Sequence, residues 1–220
     1  MAIGTNESLA ANAAAHLRRS GHTVKGGSGN SKEIDRQSVT LLEWARSKKV
    51  VLTDNFLVGL KKHADSTAEH EVYYRAADNR AVKLTHPGTF GVTPDKKGNQ
   101  QAATPLFYLI RLELMNRVFG SDFRLEGIAL GKSLVIGASG EYPRMVVSQP
   151  WIQAADICFP VPSSLEITNF MDSLGFVPLP GSYYGWIRKA DNVQVLDARP
   201  DNFIKSNRGV TPIDLVISQD

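Results

Sequence analysis

Asp197-Ala198-Arg199-Pro200-Asp201-Asn202-Phe203-Ile204, followed by a glycine-containing turn and then Pro212-Ile213-Asp214-Leu215-Val216-Ile217, decides how this chain is read. It begins where a β-rich run, Val193 to Leu196, ends. Its second half, Val210 to Ile217, reads as a final strand interrupted by Pro212. A strand–turn–strand path of this kind brings two carboxylates, Asp197 and Asp214, and the Asn202 amide to one edge. Two accounts of these residues stand open. They form a chemical constellation, or they are solvated turn formers, since Asn and Asp bond to their own backbone and favour turns.

Working outward, Tyr183–Ile187 and Val193–Leu196 flank Asp191-Asn192 and read as a hairpin. Further upstream, Val72-Tyr73-Tyr74 and Arg80–Thr85 flank Asp78-Asn79 and read as another, with Lys83 in its second strand. Between them, Thr104-Pro105 opens the clearest helix and Gly120 stops it after Phe119. Glu113 lies three, four and seven residues from Ile110, Leu109 and Leu106, so it shares their apolar side. A carboxylate there needs a partner, and Arg117 four residues on is the local one.

Leu134-Val135-Ile136 and Met145-Val146-Val147 read as paired strands, the second closed by Gln149-Pro150-Trp151. Ser163 with Glu166 makes a capping box for a helix ending at Gly175. Before the first hairpin, one helix is expected from Ser38 and a second helical stretch around Phe56 to Lys62. His70 reads as a surface residue at a strand end. No internal repeat is present.

A chain of 220 residues with 42% hydrophobic content can fill the core of one domain or of two small lobes sharing a cleft. Runs of strands with interspersed helices place it in the α+β class. Lys plus Arg number 25 against 22 Asp plus Glu, and a net +3 so dispersed argues against specific nucleic-acid binding. The single cysteine, Cys158, points to a reducing compartment and reads as a small buried hydrophobe. No apolar run approaches the roughly 18 residues a spanning helix needs. A soluble, cytoplasmic protein with no membrane partner is the expectation. Residues 1–35, which end in Gly26-Gly27-Ser28-Gly29-Asn30-Ser31, read as a flexible tail carrying at most a short helix over Ala10–Arg19.

With these residues in place, a family resemblance emerges. Asp197 through Asn202 resembles the catalytic loop of protein kinases, in which an Asp precedes an Asn by five positions with a basic residue and Pro between. Asp214, twelve residues beyond Asn202, stands where that family has its metal-binding Asp. Ala81-Val82-Lys83 resembles the strand bearing the phosphate-binding Lys, and Glu113 resembles its helix partner. Met145 through Trp151 is similar to the strand and hinge that bind adenine. The chain also resembles the small kinase-like domains of polyvalent proteins in bacteriophages and other mobile elements. The runs Lys83–Gly91, Ser148–Ile152 and Asp197–Ile217 are similar to theirs.

The resemblance implies a reduced protein-kinase-like fold: a helical cap and antiparallel-sheet N-lobe with one long helix over 36–148, then a hinge and truncated C-lobe over 149–220. It implies an ATP- and Mg2+-dependent phosphotransferase acting on a protein or small-molecule acceptor. Asp197 would orient the acceptor hydroxyl, Arg199 would pair with the transferring phosphate, and Asn202 and Asp214 would hold the metal. Lys83, braced by Glu113, would position the phosphates, while Val72, Gln149 and Trp151 would flank the nucleotide. The pattern also departs from the family. The places of the Gly-rich loop hold Asp65, Thr67 and His70, with Pro87–Gly91 as a substitute flap, and Leu215-Val216 stand where Phe-Gly is usual. A pseudokinase that binds nucleotide or a partner without turnover is therefore the alternative, and nucleotidyl transfer a further one.

Overall fold

A computed structural model describes residues 8–23, 31–63, 69–94, 100–132, 140–158 and 160–219. The chain is α+β, with helices and antiparallel sheets, and divides into two compact units. Unit 1 comprises Met1–Glu113 and Phe123–Pro150; unit 2 comprises Leu114–Asp122 and Trp151–Asp220. No helix among the described residues is long and apolar enough to cross a membrane.

Unit 1 opens with α1 (Leu9–Arg19) and α2 (Ser31–Lys48). The short helix expected over Ala10–Arg19 forms, and the expectation of a flexible tail is corrected for Leu9–Arg19 and from Ser31 onward. Ala10, Ala13, Ala14 and Leu17 form one buried helical face, and α1 packs against α2. Alanine loses no rotamer freedom on burial, so a face that looks compositionally weak still packs closely at small entropic cost. Ser8 caps this helix by accepting from Ala11 N at 3.0 Å.

Strands β1 (Lys61–Lys62), β2 (His70–Arg75) and β3 (Arg80–Thr85) come next, then the short β4 (Val92–Pro94) and β5 (Gln100–Ala102), which pair with each other. Helix α3 (Pro105–Phe119) and strands β6 (Arg124–Lys132) and β7 (Glu141–Pro150) follow. The main sheet has the order β1-β2-β3-β7-β6 and is antiparallel throughout. The β2–β3 hairpin matches the sequence expectation, and Asn79 at its turn has a φ of 55°. Two expectations are corrected. Residues 54–62 form a 3-10 turn (Asp54–Leu57) and the edge strand β1 rather than a helix. The partner of Met145 is Ile128 on β6, and the expected Leu134–Ile136 strand lies outside the described residues.

The two faces of this sheet differ. Val82, Leu84 and Val146 join Ala129 in one apolar cluster, covered by Leu52, Phe56, Leu57 and Leu60. By the two-residue period of strands, Ala81, Lys83 and Thr85 face the other way, with Val72 of β2 and Val147 and Gln149 of β7 beside them.

Helix α3 is buried on nearly every side, which is the mark of a core helix. Its first turn is capped twice. Leu106 N donates to Gln37 Oε1 of α2 at 2.9 Å, and Phe107 N donates to Thr104 Oγ1 at 3.3 Å. Gln37 is itself fully buried and donates to Glu33, which also bonds His22. The helical cap is thus wired to the start of the central helix.

Unit 2 contains α4 (Ser164–Ser173), whose capping box between Ser163 and Glu166 forms as read from sequence. Strands β8 (Val177–Pro178), β9 (Trp186–Arg188), β10 (Val193–Leu196), β11 (Phe203–Ser206), β12 (Gly209–Pro212) and β13 (Val216–Gln219) follow. A four-stranded sheet runs β13-β10-β9-β8, and β11–β12 is a separate hairpin. The expected final strand is therefore two strands, divided at Ile213–Leu215. Phe119 stacks on Phe170 and Phe176, and Phe203 meets Phe170 edge-on, giving this unit its aromatic core.

Candidate active site

Unit 2 builds its site at one end of the β10–β13 ladder. Leu196 pairs with Val216, so Asp197 follows the last paired residue of β10, and Asp214 lies two residues before the first of β13. A 3-10 turn (Pro200–Asn202) carries the chain from Asp197 to β11. Ile213 N then donates to Asn202 O at 2.9 Å, fastening the segment before Asp214 to the same turn. Asp197 and Asn202 thus share one turn, and the residue before Asp214 is tethered to it.

Bonding within the turn is specific. The Asn202 side chain, 8% exposed, donates through Nδ2 to Asp197 O at 2.6 Å and to Asp197 Oδ2 at 3.0 Å. Both neighbours are acceptors, so the amide nitrogen must face Asp197, and Oδ1 is the oxygen left to the side chain. Asp197 has a φ of 58°, in the left-handed region, and its neighbour Ala198 donates to Tyr184 O at 3.0 Å. A non-glycine residue held there stores strain that the surrounding bonds must offset. Arg199, half-exposed, places Nε 2.7 Å from Asp197 Oδ1 and Nη2 3.7 Å from Asp201. The expected phosphate partner is thus the ion-pair partner of the expected base.

Below the turn, Lys205 of β11 pairs with Glu166 of α4. This bond, with donation from Ser163, draws the Glu166 carboxyl from 4.5 down to about 2.

Unit 1 holds the other expected residues. Lys83 occupies the middle of β3, in register with Val72 on one side and Val147 on the other. It is 6% exposed, and its ammonium lies 5.6 Å from the centre of the Phe123 ring. Glu113, half-buried on α3, is the last residue of that helix within unit 1. Arg117, its local rival partner, belongs to unit 2 and donates to Gln219. Gln149 lies on β7 directly across from Ala81 and is 6% exposed. Trp151, half-buried, follows the end of β7 and falls in unit 2.

Sequence reasoning missed a buried polar cluster. His70 is 2% exposed, not a surface residue, and its Nε2 shares a 2.8 Å hydrogen bond with the Tyr108 hydroxyl of α3. Next to it Glu69 accepts from Arg111 Nη1 at 2.6 Å, and Arg111 lies over the Tyr108 ring. The signal was present in α3, where Arg111 stands within an apolar run just as Glu113 does. The supposed flap is built into this cluster. Phe90 is 1% exposed, Gly88 N donates to Pro143 O, and Gly91 O accepts from Ala103 N. A Cβ at Gly91, whose φ is 78°, would come within 1.6 Å of Glu69 Oε1. Pro87–Gly91 is therefore a packed corner. Asp65 and Thr67 lie outside the described residues. Cys158 is exposed rather than buried.

No protein-family model, no curated protein and no solved structure matches the chain. The functional reading therefore rests on the residues themselves.

Proposed function

We propose that this chain is an ATP- and magnesium-dependent phosphotransferase of reduced protein-kinase-like fold. The observation that carries this reading is the wiring of Asn202 to Asp197, at the ladder end where Asp214 also lies. A carboxylate held by an amide, with a second carboxylate on the segment leading into β13, is a donor set suited to a hard cation and a hydroxyl acceptor. Within unit 1, Lys83 is a buried ammonium in mid-strand, with a glutamate on the helix that follows, the residue types the resemblance expects.

In this reading Asn202 Oδ1 and the Asp214 carboxylate hold magnesium; when bound, the ion neutralises phosphate charge. Lys83 binds the α- and β-phosphates and Glu113 orients it. Asp197 receives the acceptor's proton as the acceptor oxygen bonds to the γ-phosphorus. The bond between that phosphorus and the β–γ bridging oxygen breaks, and ADP leaves with the electron pair. Arg199 fixes the direction of the Asp197 carboxylate. The test is transfer of label from γ-labelled ATP by the wild type, Asp197→Ala and Asp214→Asn. Loss in both variants supports the reading; equal incorporation in all three overturns it.

The Arg199–Asp197 ion pair favours a second reading, since a carboxylate engaged by a guanidinium at 2.7 Å and by the Asn202 amide at 3.0 Å already spends its oxygens on the protein. The chain would then be a pseudokinase, a nucleotide- or protein-binding module. Magnesium-dependent thermal stabilisation by ATP with no transfer to any offered acceptor would select it.

A further inference from the structure

Gln149 carries an atom that the folded chain does not use. Its side chain is 94% buried, from an exposure of 6%, and among the described residues no donor reaches its carbonyl Oε1. Most buried polar atoms are hydrogen-bonded, because an unmatched carbonyl loses its water without replacement. Such an atom, kept in a fixed place, marks a ligand's position.

Its place is fixed. The neighbouring Ser148 points to the opposite face, where Arg80 Nε donates to its hydroxyl at 2.8 Å and Arg80 Nη2 to its carbonyl at 3.1 Å. The same hydroxyl donates to Glu126, which also accepts from Arg75. Side chains of three strands, β2, β3 and β6, thus clamp the end of β7, and Gln149 is presented on the Lys83 face. Directly across from it stands Ala81, the smallest side chain on this face of β3. Lys83 lies one rung pair along, about 7 Å up the strand.

We propose that Gln149 Oε1 accepts a hydrogen bond from the exocyclic 6-amino group of a purine, so that this side chain selects adenine. The inference rests on the nucleotide-binding part of the function proposed above and goes beyond it. The resemblance implies recognition by backbone groups, which would leave Oε1 unmatched. A glutamine amide has the geometry to bond adenine at its amino edge. A base lacking the amino group leaves the buried carbonyl unpaired, and sites of this kind discriminate on that ground.

The test compares ATP with purine riboside 5′-triphosphate, which lacks only the 6-amino group, in titration calorimetry with magnesium. Wild-type protein is expected to bind ATP about tenfold more tightly than the deamino analogue. Gln149→Leu is expected to bind the two alike, and its own melting temperature without ligand to rise, since the unmatched carbonyl is gone. Equal affinity of the wild type for both nucleotides overturns this proposal and leaves nucleotide binding standing. Absence of binding to both nucleotides overturns both readings. The wild-type comparison stands whether or not the variant folds.

Discussion

Three aspartate-bearing turns invite comparison. Asp78-Asn79 in unit 1 and Asp191-Asn192 in unit 2 close hairpins with one chemistry: each Asp pairs with an Arg three residues earlier, and each Asn takes a φ of 55°. Both carboxyls are held below the ordinary range, first by that Arg hydrogen bond. They are solvated turn formers, self-contained and locally satisfied. At the third turn Asp197 itself takes the left-handed conformation, and a nearly buried amide five residues on holds both its backbone and its carboxylate. The composition is alike, but the wiring is not. A turn that needs only to reverse the chain has no use for a strained aspartate tied to a buried asparagine.

The sharpest break in the comparison is activity. Asp197→Ala is expected to lower phosphate transfer by at least about 100-fold, while Asp78→Ala and Asp191→Ala leave it unchanged, as measured by label transfer. Should the hairpin variants lose activity equally, the distinction between the turns would disappear. Stability gives the next effect. Asn202→Ala leaves the Asp197 carbonyl without its donor and is expected to cost about 1–3 kcal/mol in urea unfolding. A cost no larger than that of Asp78→Ala, for which about 0.5 kcal/mol is expected at an exposed ion pair, would argue against a special role.

Strain offers a finer probe. Asp197→Gly is expected to be more stable than Asp197→Ala by about 1 kcal/mol, because glycine adopts the left-handed conformation freely. Both variants should be equally inactive. Matching unfolding midpoints for the two would show that the φ of 58° stores no strain.

The smallest effect concerns acid. Glu166 titrates near 2 in the folded chain, against an ordinary value of 4.5. A folded value below the unfolded one means stabilisation that is whole above pH 4.5 and lost as pH falls toward 2. Lys205→Met should return the Glu166 carboxyl toward 4.5 in an NMR titration. An unmoved titration would assign the shift to the Ser163 cap alone.

What the sequence revealed follows the range of the interactions. The capping box at Ser163, both Asp-Asn hairpins and the course of α3 depend on residues a few positions apart, and they were legible. The short helix α1 was foreseen but its packing was not, because an alanine face shows its worth only against a partner surface. Strand β6 was overlooked because Gly127 and Gly131 break its pattern, and its register shifts between Leu125 and Gly127. In the site, the Asp197–Asn202 spacing was readable as motif. The capture of Arg199 by Asp197, the burial of His70 against Tyr108, and the unmatched carbonyl of Gln149 are facts of three-dimensional packing that no spacing announces.

The central claim is that the third turn, with Asp214, forms a metal-assisted nucleotide site rather than a chain reversal. Calorimetric titration of ATP into wild type and Asp214→Asn, with and without magnesium, addresses it most directly. The account predicts ATP binding that requires magnesium in the wild type and is lost in the variant. Binding that ignores both the ion and the substitution, or no binding by the wild type, would contradict it.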